Sequence, residues 1–135
     1  MPKNLQQVKS YMDKQWLASL ATVDKKNAPH VVPVFFTYDN GKVYVQTDRK
    51  SMKARNILKN GNASVAVYSG EEAVIIRGKA SIITDRENFR KRTKEHIAKY
   101  KLRLDEQGKD SLGIPLFNDA IRCIVEVTPK RTLFW

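Results

Sequence analysis

Residues 42–47, Lys42-Val43-Tyr44-Val45-Gln46-Thr47, alternate polar and apolar side chains in the two-residue rhythm of a strand, and a few positions later Ala54, Ile57 and Leu58 recur at helical spacing. The same change of rhythm marks elements elsewhere. Leu5, Val8 and Met12 predict an amphipathic first helix that ends before Trp16. Residues 16–23 and 31–38 are extended apolar runs on either side of the turn-rich Asp24-Lys25-Lys26-Asn27-Ala28-Pro29, which predicts a hairpin. Asn40-Gly41 is a pair that a type I′ turn favours, so 31–38 and 43–47 are expected as antiparallel neighbours. A short helix over 51–59 is expected to close through Asn60-Gly61-Asn62 in left-handed conformations, and strands over 63–68 and 73–83 follow.

The pattern lengthens at Thr84-Asp85-Arg86-Glu87, where Thr84 and Glu87 have the spacing of a capping box. Phe89, Thr93, Ile97, Tyr100 and Leu104 then trace an apolar helical face, with Arg90, Lys91, Arg92, Lys94 and Lys99 on the other. Residues 105–118 read as an irregular connection around Gly108, Gly113 and Pro115, and 120–128 and 131–135 as two last strands broken at Pro129. Five or more antiparallel strands with short helices in the connections predict a mainly β, α+β fold. The expected form is a barrel of six or seven antiparallel strands, built as a single domain over residues 1–135.

Charge narrows the choice of partners. Twenty-five lysines and arginines against fourteen aspartates and glutamates leave a formal charge of +11, which favours anions: nucleic acid, an acidic membrane or a phosphorylated small molecule. Residues 85–103 hold eight cations and three anions, most simply a solvated face. That face lacks interleaved aromatic residues for base stacking, which argues against nucleic acid, and it keeps no broad apolar side for a membrane surface. No apolar run approaches the roughly 20 residues of a membrane span. Cys123 is the only cysteine, so neither an internal disulfide nor a thiol metal cluster is expected, and the reading is a cytoplasmic protein with no metal site.

Recognised catalytic motifs are missing. The six glycines stand apart, so neither the dinucleotide-binding nor the P-loop pattern occurs, and no serine lies in a nucleophile elbow. His30 and His96 lie in separate elements, His96 as a half-buried structural residue on its helix. The chemistry gathers instead at Thr47-Asp48-Arg49-Lys50-Ser51-Met52-Lys53-Ala54-Arg55-Asn56, where a strand passes into a helix amid hydroxyls and cations. A helix start has unpaired N–H groups and the positive end of the helix dipole, so it receives an anion well. Ser51 is the expected N-cap, with Lys53 and Arg55 adding charge. The same residues also read as an ordinary solvated basic helix capped by serine.

The order of elements, with the runs Leu17-Ala-Ser-Leu-Ala-Thr-Val, Pro29-His-Val-Val-Pro-Val-Phe-Phe, Val43-Tyr-Val-Gln-Thr, Ser51-x-Lys53-x-Arg55-Asn56 and Arg77-Gly-Lys-Ala, resembles the pyridoxamine 5′-phosphate oxidase-like flavin-binding split barrels over nearly the whole chain. The resemblance implies a homodimeric FMN-binding flavoprotein that acts as an oxidoreductase on a small-molecule substrate. Thr47, Ser51 and Lys53 would hold the phosphate, Gln46 beside them would also bind the cofactor, and His30, Val31, Val32, Pro33 and Val34 would run beneath the ring. Arg55 matches the Lys-x-Arg-Asn of small relatives that use the 8-hydroxy-5-deazaflavin coenzyme, where a longer, more acidic tail is bound. Trp135 and Arg131 would approach the partner's site across the dimer.

The departures are specific. Met52 stands where that family has its phosphate-binding arginine, Ala73 where it has a glutamine, and His30 near another family arginine. The basic C-terminal segment that holds the substrate's phosphate in the vitamin-processing oxidase is missing after Trp135, which argues against that activity. The alternatives carried are a deazaflavin-dependent reductase on the same barrel, haem with His30 as ligand, and a basic nucleic-acid-binding barrel. Phe35, Phe36, Tyr68 and Trp135 are read either as pocket lining or as core and interface packing.

Overall fold

The computed structural model describes residues 4–134. Along the chain run α1 (Leu5–Lys14), β1 (Ala18–Val23), β2 (Pro29–Val34), β3 (Thr37–Asp39), β4 (Lys42–Asp48), α2 (Met52–Lys59), β5 (Asn62–Ser69), β6 (Glu72–Ile82), α3 (Arg86–Tyr100) and β7 (Arg122–Phe134). The seven strands form one antiparallel sheet in the order β2-β1-β5-β6-β7-β4-β3. The sheet curls into a split barrel around Leu20, Phe36, Val43, Val65, Ile76 and Val125, all buried. A second, smaller cluster of Tyr44, Ile83, Phe89 and Ile124 lies beneath α3.

The predicted strand over 31–38 divides in two. Phe36 buries its ring completely, and its backbone bonds to α3 instead of to a strand. Its N–H donates to Tyr100 Oη at 2.9 Å, and its carbonyl accepts from Lys99 Nζ at 2.9 Å. The break lets β2 pair with β1 while β3 pairs with β4. The Asn40-Gly41 turn takes φ of 49° and 83°, both left-handed as type I′ requires.

Ser51 caps α2, its Oγ accepting from the Ala54 N–H at 3.3 Å. The helix does not close through left-handed residues: Asn60 is extended at φ −145°, and the chain runs straight into β5. At Gly61 the carbonyl accepts from the Ala80 N–H, and a Cβ there would sit 3.1 Å from the Ala80 oxygen. The cap of α3 is Asp85, not Thr84, because the Asp85 carboxylate accepts from the Asn88 N–H at 3.0 Å. The buried side of α3 also differs: Arg92 and His96 join Phe89, Thr93 and Tyr100, while Ile97 is only partly covered.

Pro129 does not break the last strand. β7 continues to Phe134 because its register against β6 shifts there: Arg77 opposes Arg131 and Gly78 opposes Pro129, leaving Lys130 as the extra residue of a bulge. A bulge tolerates a proline whose N–H is missing. Gly78 permits the close approach, since a Cβ on it would overlap the Thr128 carbonyl.

Candidate functional site

The two ends of the sheet do not pair with one another. β3 stops at Thr37 opposite Tyr44, so beyond that point β4 has no neighbour on that side, and β2 is the sheet's other edge. Between them opens a cleft of about 360 Å³ lined by Pro33, Val34 and Phe35 from the β2 side and by Val45, Gln46 and Thr47 of β4. Lys53 of α2, His96 of α3 and Arg122 of β7 add to its polar lining, and Asp110, Ser111, Leu112 and Leu116 of the long connection form another wall.

That connection is ordered by its own acidic residues. The Asp105 carboxylate accepts from the N–H groups of Gln107 and Lys109, and Asp110 repeats the arrangement with Leu112 and Ile114. Gly108 and Gly113 supply the positive φ in each loop. Gln46 fastens the connection to the sheet, donating from Nε2 to the Leu116 carbonyl at 2.6 Å. Its Oε1 accepts from Arg122 Nε at 2.9 Å.

The electrostatics of the cleft are cationic. Burial, and then the charge of Arg122, push the Lys53 ammonium pKa below its ordinary value. Burial also lowers the pKa of Arg122. His96 is driven down to about 4 by burial and then by Arg122, so its imidazole is neutral at pH 7. The ring is held among aromatics, with Phe35 at 6.4 Å and Tyr100 at 5.3 Å between centroids. A neutral imidazole and two cations beside open strand edges can receive a polar, anionic ligand.

A second cleft, about 310 Å³, flanks the first turn of α2 and is lined by Asp24, Lys25, Lys26, Met52, Arg55, Asn56 and Lys59. Asn56 anchors this side of the helix, its Nδ2 donating to Thr22 Oγ1 at 3.1 Å in the interior.

Of the residues singled out from sequence, Pro33, Val34, Gln46, Thr47 and Lys53 come together in the first cleft. Arg55 lines the second, and Ser51 sits at the helix start between Asp48 and Met52. His30, Val31 and Val32 lie farther along β2, with His30 opposite Thr22. Trp135 lies outside the described residues. Phe36 is core, Phe35 lines the cleft, and Tyr68 stands exposed on the sheet's outer face. Arg122 and His96 are the site residues that periodicity missed. Arg122 looked like an ordinary strand residue, and only the β4–β7 register, which sets it opposite Asp48, brings it to α2.

The family profile described as Pyridoxamine 5′-phosphate oxidase matches residues 5–135. The F420H(2)-dependent biliverdin reductase of Mycobacterium tuberculosis is 28% identical over 95 residues, which are 68% of this chain and 69% of that protein. Among solved structures, the conserved hypothetical protein Rv2991 of Mycobacterium tuberculosis superposes with a TM-score of 0.82 at 19% identity, covering 100% of this chain and 86% of its own. A structure described as an F420 reductase superposes with a TM-score of 0.74 at 21% identity, covering 98% of each chain.

Proposed function

The chain belongs to the pyridoxamine 5′-phosphate oxidase family, and from that premise we propose that it is an oxidoreductase binding a flavin-type cofactor in the cleft between β2 and β4 and, of the two classes, the deazaflavin coenzyme. The observation that carries the reading is the run of cations around the start of α2. Lys53 and Arg122 lie in the first cleft, and Lys25, Lys26, Arg55 and Lys59 surround the second. A cofactor ending in one phosphate needs only the first group. A longer, more acidic tail engages both, and the F420H(2)-dependent relative supports that choice.

The residues fit such a cofactor on the structure's own terms. The free edge of β2 offers backbone donors and acceptors to the polar rim of a ring, and Pro33 and Val34 offer it apolar surface. Thr47, Ser51 and Lys53 flank the start of α2, and the unpaired N–H groups of a helix start suit a phosphate. When bound, a flavin or deazaflavin supplies the two-electron redox chemistry, and the protein supplies binding, orientation and electrostatics. The connection carrying Leu112 and Leu116 would cover one side of a ring held in the cleft.

The site is further read as lying at a homodimer interface. The outer face of β2, β1, β5 and β6 presents Val31, Pro33, Ser19, Ala21, Ser64, Ala66 and Ile75, and Trp16 and Tyr68 at its rim are 60% and 70% exposed. A surface of small and apolar residues, bordered by Arg77 opposite Ser64, begins on the strand lining the cleft and suits a second copy.

FMN is the second reading, favoured by the Thr47, Ser51 and Lys53 set, which a mononucleotide phosphate satisfies without the second cleft. Titration of the purified protein with F420, FMN and haem, followed by absorbance and fluorescence, tests these readings. Tight F420 uptake with weaker FMN uptake is expected. FMN uptake alone hands the site to the second reading, a Soret band reassigns it to haem, and uptake of none overturns the function.

A further inference from the structure

Lys53 and Arg122 line one cleft, together with Asp110, and the carboxylates of Asp48 and Asp110 lie near enough to act on the charge of Arg122. Among the described residues neither makes an ion pair. Asp48 Oδ1 accepts from the Lys50 N–H at 2.7 Å and Asp110 Oδ1 from the N–H groups of Leu112 and Ile114, so backbone bonds hold both carboxylates without an ion pair to Arg122. Both cations are partly buried and have lost part of their hydration, so an oxyanion that meets their free donors gains charge-assisted hydrogen bonds.

Arg122 is also aimed. Gln46, only 8% exposed, grips the guanidinium through Nε and is itself tied to the connection by the Leu116 carbonyl. That leaves both Nη groups of the planar fork without a partner among the described residues, in the geometry that binds two oxygens of one oxyanion. Met52, beside Lys53, carries no charge that could substitute. A further mark of a ligand site is His96, 8% exposed on the same cleft and making no hydrogen bond to any described residue.

We propose that Arg122 joins Lys53 in clamping the phosphate group of the bound ligand, and that Gln46 is the positioning residue that holds the Arg122 guanidinium toward it. The identity of the cofactor rests on the reading above. The phosphate clamp does not, because inorganic phosphate probes it directly.

The test compares wild type, Arg122→Ala, Arg122→Lys, Gln46→Leu and Lys53→Ala in binding FMN and riboflavin, and F420 and its dephosphorylated chromophore. Arg122→Ala is expected to weaken the phosphorylated ligand roughly 10- to 150-fold, as loss of charge-assisted hydrogen bonds implies, and to leave the phosphate-free ligand within about twofold. Gln46→Leu should lower the same ratio by less, with Arg122→Lys between wild type and alanine. A general loss of structure would weaken both ligands alike and leave the ratio unchanged. Inorganic phosphate should raise the melting temperature of wild type and not of Arg122→Ala.

If cofactor binds and the ratio is unaffected by Arg122→Ala, the clamp is overturned and the cofactor reading stands. If no cofactor binds yet phosphate protects wild type through Arg122, the clamp stands and the cofactor reading falls. Should Arg122→Ala fail to fold, Arg122→Lys carries the comparison, and an unchanged ratio there overturns the clamp.

Discussion

At the scale of single residues, burial of charge and of potential charge separates this molecule from its sequence pattern. Arg92 belongs by spacing to the basic stripe of α3, yet it lies in the interior. There it pairs with Asp39 at 3.0 Å and Glu95 at 2.9 Å and stacks over the Tyr44 ring. The Arg92 hydrogen bond holds the Asp39 carboxyl below its ordinary pKa. His96 makes the sharper prediction. Its native pKa near 4 is below the value of 6.5 in an unfolded chain, so between those pH values the unfolded state binds more protons and stability is lost as pH falls. Wild type should lose about 3 kcal/mol between pH 7 and pH 4 through this group, and His96→Gln should lack that part of the slope. Urea denaturation of both proteins across that range measures it, and equal slopes would mean that the imidazole is solvated in the folded state.

At the scale of elements, the local signals at helix starts and turns were legible because they depend on neighbours in sequence. The cap at Ser51, the helical spacing of α1 and the left-handed Asn40-Gly41 turn all formed where the residues predicted them. The errors came where a distant backbone decides. The strand over 31–38 broke because Tyr100 and Lys99 claim the backbone of Phe36, and Pro129 stayed in its strand because Gly78 faces the bulge. Gly78→Ala should therefore cost about 1–3 kcal/mol, since its Cβ meets the Thr128 carbonyl backbone rather than a side chain that can turn away. A wild-type denaturation midpoint in that variant would show the bulge to be pliable.

At the scale of the whole molecule, a curled sheet has one face turned to the core and another left to water or to a partner. Leu20, Val65 and Ile76 fill the inside, and register alone sends Ala21, Ser64, Ala66 and Ile75 outward. Placing a long charged side chain at the centre of that outer face should split a dimer without disturbing the barrel. Ala66→Arg is expected to sediment as a monomer where wild type sediments as a dimer, and a wild-type protein that is monomeric at all concentrations would remove this face from the proposal. The net charge of +11 acts at the same scale, drawing anionic ligands to a surface whose cations crowd around α2.

Taken alone, the sequence determined the mainly β character, the helices, the turn at Asn40-Gly41 and the basic strand-to-helix passage at Thr47 to Lys53, because periodicity and capping are short-range properties. It also carried the family resemblance, since those short motifs occur in order along the chain. Tertiary structure decided what faces them. Arg122 lies about 70 residues from Lys53 along the chain and reaches the cleft only through the β4–β7 register. Gln46 could be seen as a strand residue, but not that its amide would link Arg122 to the Leu116 carbonyl. Strand order and register are long-range choices made by packing of the whole core, so the partners they bring to a site leave no mark in the local pattern of the sequence.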